Sequence, residues 1–186
     1  MDNNYIFQYW EAIQNGTVTV GKWIKTIYEF LVNGLKSGKW DFDEEKANKA
    51  INFIENFCHH SEGRNDLLKL ELWQKAIVSA IFGIMDKRTG YRQFREVFIV
   101  VARKNGKTLF AAAIAAYMAY IDGEYGAKVY FLAPKLDQAD LVYDAFYQIV
   151  QADDELDSIT KKRRSDIYIK AVSYTHLRAH ETDSYL

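Results

Sequence analysis

The sequence predicts an α/β fold, a parallel sheet represented by its first βαβ unit and preceded by a helical N-terminal segment. Three observations carry this reading. Helical periodicity fills the chain to about residue 90, two apolar runs follow at Val97–Val101 and Lys128–Ala133, and the alanine-rich stretch Lys107–Ile121 lies between them. The 186 residues suffice for one medium domain, or a small one with an attached helical segment, at about 150 residues per domain.

Phe7–Gln14 and Gly21–Leu35 read as amphipathic helices, with Trp23, Ile27, Phe30, Leu31 and Leu35 spaced for one face. Asp41 and Glu44 have the spacing of an N-cap and its reciprocal carboxylate. They open a helix whose Ala47, Ala50, Ile51, Ile54 and Phe57 form a stripe ending near Cys58. His59 and His60 follow at the negative helix end, with no acidic or cysteine partner at ligand spacing. A polar loop, Ser61 to Asp66, leads to a helix from about Leu70 to Met85, and Thr89-Gly90 makes a turn.

Beyond Tyr91 the pattern changes. Val97-Phe-Ile-Val-Val101 lacks polar alternation, as expected of a parallel strand buried on both faces. The loop Ala102–Gly106 feeds the alanine-rich helix, Lys128–Ala133 makes the next strand, Pro134 ends it, and Asp137–Gln151 makes another amphipathic helix. Asp153-Asp154-Glu155 reads as a solvated loop, and Ile167–Ala171 begins a third strand. The expected organisation is a helical segment at 1–90, a partial α/β core at 91–171, and a non-native tail at 172–186.

The tail is set apart because Val172-Ser-Tyr-Thr-His-Leu-Arg-Ala-His-Glu-Thr182 resembles a translated sequencing adapter. His176 and His180 stand four apart in it, and are therefore not read as a metal pair on a helix.

Composition excludes several function classes. With 24 Lys+Arg against 25 Asp+Glu, the net charge of −1 gives no overall electrostatic case for nucleic acid. The single Cys58 forms neither an internal disulfide nor a zinc cluster, which fits a reducing compartment, the cytoplasm by default. Leu109–Ile121 is too short to span a bilayer, and the N-terminus lacks a basic leader, so no membrane partner is expected.

The chemistry concentrates in Val101-Ala-Arg-Lys-Asn-Gly-Lys-Thr108, between the expected first strand and its helix. A phosphate-binding loop sits at such a junction. Backbone N–H groups of Arg103, Lys104, Asn105 and Gly106 and the helix N-terminus face the anion, Lys107 reaches the β- and γ-phosphates, and the Thr108 hydroxyl holds Mg²⁺. The usual pattern begins with glycine where this chain has Val101. Gly-Lys pairs also occur at Gly21-Lys22 and Gly38-Lys39, but only the Gly106 copy follows an apolar run and opens a helix.

Leu72-Trp73-Gln74-Lys75, the stretch Phe94 to Thr108, and Ala133-Pro-Lys-Leu-Asp-Gln-Ala139 together resemble the large terminase subunit of tailed bacteriophages, over essentially residues 5 to 170. The resemblance implies an ATP-driven motor that threads double-stranded viral DNA into a capsid, with a P-loop ATPase domain and a nuclease domain. Implied cofactors are ATP and Mg²⁺; implied partners are portal protein, the terminase small subunit and further copies in a ring, in the host cytoplasm.

By the same resemblance Lys107 and Arg103 are the catalytic residues, Arg103 stabilising charge on the transferring phosphoryl group. Gln74 meets the adenine edge, Trp73 beside it being read as core, and Gln138 belongs to the coupling motif, although Pro134 and Lys135 stand where the family motif begins with Thr. A strand ending in Asp-Glu and the nuclease carboxylates are not found, so the chain is expected to be inactive alone. Two alternatives stay open: a helicase-type P-loop ATPase, and a non-catalytic helical adaptor.

Overall fold

The computed structural model describes residues 4–60, 66–123, 127–163, 166–170 and 175–181. Most of the expected loop from Ser61 to Asp66 therefore lies outside the described residues, as do residues 171–174 and 182–186 of the chain end. The chain divides into two compact units, Met1–Asn52 with Lys69–Ile99, and Phe53–Leu68 with Val100–Leu186.

In the first unit, α1 (Tyr5–Gln14) starts where the Asn4 side chain accepts the Ile6 N–H at 3.0 Å. Helix α2 (Lys22–Lys36) packs on α1, and α4 (Leu72–Gly83) covers α1 from another side. Ile6, Tyr9, Trp10, Tyr28, Leu31, Val32, Trp40, Ala76 and Ile84 form the core. Tyr9 and Tyr28 meet edge to face at 4.7 Å, and Trp40 stands between Phe30 and Phe94 at 5.2 and 5.4 Å. Gly34 lies against the Trp40 ring, where no side chain fits.

Two expectations for this unit need correction. Helix α2 buries Tyr28, Leu31 and Val32, whereas Trp23, Ile27 and Phe30 are exposed. The helix is apolar on two faces, and spacing alone did not say which one meets α1. The second correction concerns the cap. Asp41 lies in the short strand β1 (Asp41–Phe42), antiparallel to β2 (Ile84–Met85), and the cap of α3 (Glu44–Phe57) is Asp43. Its carboxylate accepts the Lys46 N–H at 3.0 Å and pairs with the Lys46 ammonium at 3.1 Å. Burial works against ionisation of Asp43, but these Lys46 interactions and the Glu45 N–H outweigh it and lower its pKa.

The second unit layers helices on a sheet of order β3-β6-β5-β4. Its elements are α5 (Lys107–Tyr120), β3 (Lys128–Ala133), α6 (Leu136–Gln151), α7 (Asp154–Ile159), β4 (Thr160–Lys162), β5 (Asp166–Ile169) and β6 (Thr175–Glu181). β3 and β6 are parallel, and the other pairings are antiparallel. Ala112, Ala113 and Ala116 are fully buried on α5, and such small side chains let α6 pack closely on it. Phe146 of α6 lies between Tyr120 and Phe131.

Here too the structure departs from expectation. Val97–Val101 forms no strand; Phe98 is 93% and Val100 77% exposed. A strand exists by its ladder, and among the described residues nothing pairs with this run. The fold is mixed α/β, but the expected pairing of this run within a parallel sheet is not formed. Asp153-Asp154-Glu155 is not a loop, because Asp153 caps α7, its carboxylate accepting the N–H groups of Glu155 and Leu156, each at 3.0 Å. Residues 175–181, inside the expected tail, supply β6, so His176 and His180 stand on a strand and not a helix. No described helix is long and apolar enough to cross a membrane, and no described residues cluster as metal ligands.

Candidate functional site

The loop Ala102–Gly106 makes a tight reversal ahead of α5. Lys104 and Gly106 both have φ near 66°, the left-handed region. Glycine adopts it freely; for a lysine it costs about 1–2 kcal/mol. Asn105 between them braces the turn, its side-chain amide donating to the Ala102 carbonyl at 3.3 Å and the Arg103 carbonyl at 3.2 Å. Those two carbonyls are thereby tied inside the loop.

Helix α5 begins at Lys107 with no side-chain cap, Gly106 being its N-cap. The Gly106 carbonyl accepts the Phe110 N–H at 2.9 Å, so the first-turn N–H groups ahead of it have no intrahelical acceptor. Arg103, Lys104, Asn105, Gly106 and Lys107 are exposed and Thr108 is half-buried. Two ammonium groups, a guanidinium, a hydroxyl and an uncapped helix N-terminus thus stand on six consecutive residues. This donor set suits a polyphosphate, with Thr108 offering the oxygen a hard cation takes.

Asn105→Ala is expected to raise amide exchange across residues 103–106 about fivefold, since the two bonds stabilise the loop by about 1 kcal/mol, with the global melting temperature unchanged. Exchange followed by mass spectrometry checks it; an unchanged rate would show that the brace is idle.

Gln138 is exposed on the first turn of α6, its N–H donating to the Lys135 carbonyl at 3.0 Å. It shares the second unit with the loop, and α6 packs on α5. Gln74 belongs to the first unit. It is buried at the third position of α4, its Oε1 accepting the Glu71 N–H at 2.9 Å, while the Glu71 carboxylate accepts from the backbone of Gln74. The spacing Glu71-x-x-Gln74 is the signal that could have found this reciprocal capping box. Trp73 packs on the first unit's core.

Comparison with known proteins gives both a family and a fold. The family described as terminase large subunit, ATPase domain, matches residues 72–184, more than half of the chain. A crystal structure of the HK97 bacteriophage large terminase is similar in fold, with a TM-score of 0.63 and 21% identity, over 76% of this chain. The chain spans 28% of the length of that structure. No curated protein matches. With the family match running through both the α4 helix and the phosphate-type loop, the chain belongs to the terminase large subunit ATPase-domain family.

Proposed function

We propose that the Ala102–Thr108 loop binds Mg-ATP and that the chain is part of an ATP-driven motor subunit moving double-stranded viral DNA into a capsid. The observation that carries this is the loop itself. Two left-handed residues flank a bracing asparagine ahead of an uncapped helix, inside the segment matched to the terminase ATPase domain.

Each residue has a role in this reading. Backbone N–H groups of Arg103, Lys104, Asn105 and Gly106 hold the phosphates, and Lys107 reaches the β- and γ-oxygens. Arg103 meets charge on the transferring phosphoryl group. Thr108 directs its hydroxyl to Mg²⁺, Gln74 offers its amide N–H to adenine, and Gln138 relays nucleotide state from α6. Bound Mg-ATP supplies the phosphoryl group whose transfer drives movement.

In the whole protein the loop would belong to a P-loop ATPase core. Residues 1–90 are its helical lead-in, 91–171 part of the ATPase core, and 172–186 a non-native tail. The motor would act as a ring with portal protein and the terminase small subunit, in the host cytoplasm, and a nuclease domain would cut the DNA.

Titration of the purified chain with a fluorescent ATP analogue and Mg²⁺ tests this. Lys107→Ala should weaken binding at least tenfold, since a charged hydrogen bond contributes about 1.5–3 kcal/mol; equal binding by the variant would overturn the reading. ATP turnover by the 186-residue chain should be negligible. Turnover that disappears in Lys107→Ala would overturn that part alone.

A further inference from the structure

A second cationic feature lies away from the loop, on the hairpin of β4 and β5. The hairpin is firmly seated. Tyr120 and Thr160 share a hydroxyl hydrogen bond of 2.5 Å, Thr160 Oγ1 donates to the Leu156 carbonyl at 2.6 Å, and Ile167 and Ile169 are fully buried. The Arg163 N–H donates to the Asp166 carbonyl at 2.8 Å, closing the strands beyond Lys162.

Lys161, Lys162 and Arg163 are consecutive and exposed at the end of this hairpin. Two of them rest on aromatic faces: the Lys162 ammonium is 3.9 Å from the Tyr147 ring centre and 5.8 Å from that of Tyr143, and the Arg163 guanidinium is 5.3 Å from the Tyr168 ring centre. None of the three forms an ion pair with a carboxylate among the described residues, while elsewhere Lys46, Lys87 and Arg88 do. In a chain of net charge −1, three consecutive cations, two of them held on rings, form a local basic edge beside the Asp140, Asp144 and Asp166 carboxylates that act on Tyr143.

We infer that Lys161, Lys162 and Arg163 contact the phosphate backbone of duplex DNA, the duplex being the ligand of the motor reading above. The tyrosine faces are covered by the cations themselves, so they preorganise charge and are not platforms for unstacked bases. That favours sequence-independent contact to a regular backbone over single-strand stacking. The strand pairing and the buried isoleucines fix where the charges stand, so binding orders little except side chains already resting on rings.

Fluorescence anisotropy of the purified chain with a labelled 30-base-pair duplex, between 50 and 200 mM salt, tests this. The triple variant Lys161→Ala, Lys162→Ala, Arg163→Ala should bind the duplex at least tenfold more weakly. The slope of log affinity against log salt should flatten by about 0.9 for each phosphate that the variant no longer neutralises. The charge-keeping variant Lys161→Arg, Lys162→Arg, Arg163→Lys should bind like the parent, which a merely structural role in the hairpin would not require. An unchanged salt slope in the triple alanine variant, no duplex binding by the parent at 50 mM salt, or tighter binding to a single strand of equal length would each overturn the inference. Titration of the same variants with the fluorescent ATP analogue separates the two proposals. Retained nucleotide binding with an unchanged DNA slope defeats the hairpin inference alone, and parent-like nucleotide binding by Lys107→Ala defeats the motor reading.

Discussion

Gly34→Ala is expected to lower the melting temperature by about 5–10 °C, from a net loss of about 2–3 kcal/mol. In an open helix the change would be favourable, because alanine is the better helix former by about 1 kcal/mol. Here a Cβ at position 34 would overlap the six-membered ring of Trp40, the third nearest ring atom lying at 2.9 Å. Trp40 is buried and cannot turn aside without parting from Phe30 and Phe94, which flank it edge to face. The strain therefore spreads to the junction of α2 with β1. Thermal denaturation followed by circular dichroism checks the size of the loss. Trp40→Leu should cost less in the Gly34→Ala background than in the parent, since the two positions compete for one volume. Additive losses would show that the ring accommodates the methyl group.

Part of the alkaline destabilisation should trace to Cys58. Its thiol is fully buried, and burial, aided by the Asp153 carboxylate, pushes its pKa from 9.0 up to about 12. The sign follows from which state holds the proton. Between these two values the unfolded chain releases it and the folded chain keeps it, so the stabilising contribution is complete below pH 9 and disappears progressively toward pH 12. A shift of this size corresponds to about 4 kcal/mol at most. Urea unfolding at pH 8 and pH 11 should therefore show the parent losing more stability than Cys58→Ala, even though the alanine variant starts lower at pH 8. Tyr28, Tyr120 and Tyr143, whose pKa values burial also raises, add the same alkaline loss to both proteins. Equal losses in parent and variant would show that water reaches the thiol. At pH 8 the folded chain should also resist aromatic disulfide reagents and react only in denaturant.

Periodicity made the helices legible because each is long enough for its burial pattern to repeat. α1, α2, α5 and α6 lie within about a residue or two of their expected bounds, and β3 lies on them. What escaped was decided by tertiary partners. The exposed Trp23, Ile27 and Phe30 belong to a helix with two apolar faces, and the sequence carries no mark of which face the core takes. The two-residue strand β1 is too short for any period, which moved the α3 cap from Asp41 to Asp43. The acidic run at Asp153 looked like solvated loop because its charge hid an N-cap. At the candidate site the helix start at Lys107 was legible from a polar loop followed by an alanine-rich run, whereas the Asn105 brace depends on where two carbonyls point.

The run Val97–Val101, exposed over its first four residues, has a consequence for how copies of this chain behave together. Five consecutive β-branched or aromatic residues, without charge, proline or glycine, meet the conditions for stacking into intermolecular ladders. Arg95 and Glu96 precede the run and Arg103 and Lys104 follow it, like the gatekeeper charges that keep sticky segments of neighbouring molecules apart. Two of these four charges sit in the loop that suits a polyphosphate. An anion bound there would neutralise the two charges that follow the run, so an occupied loop would leave one end of it less guarded.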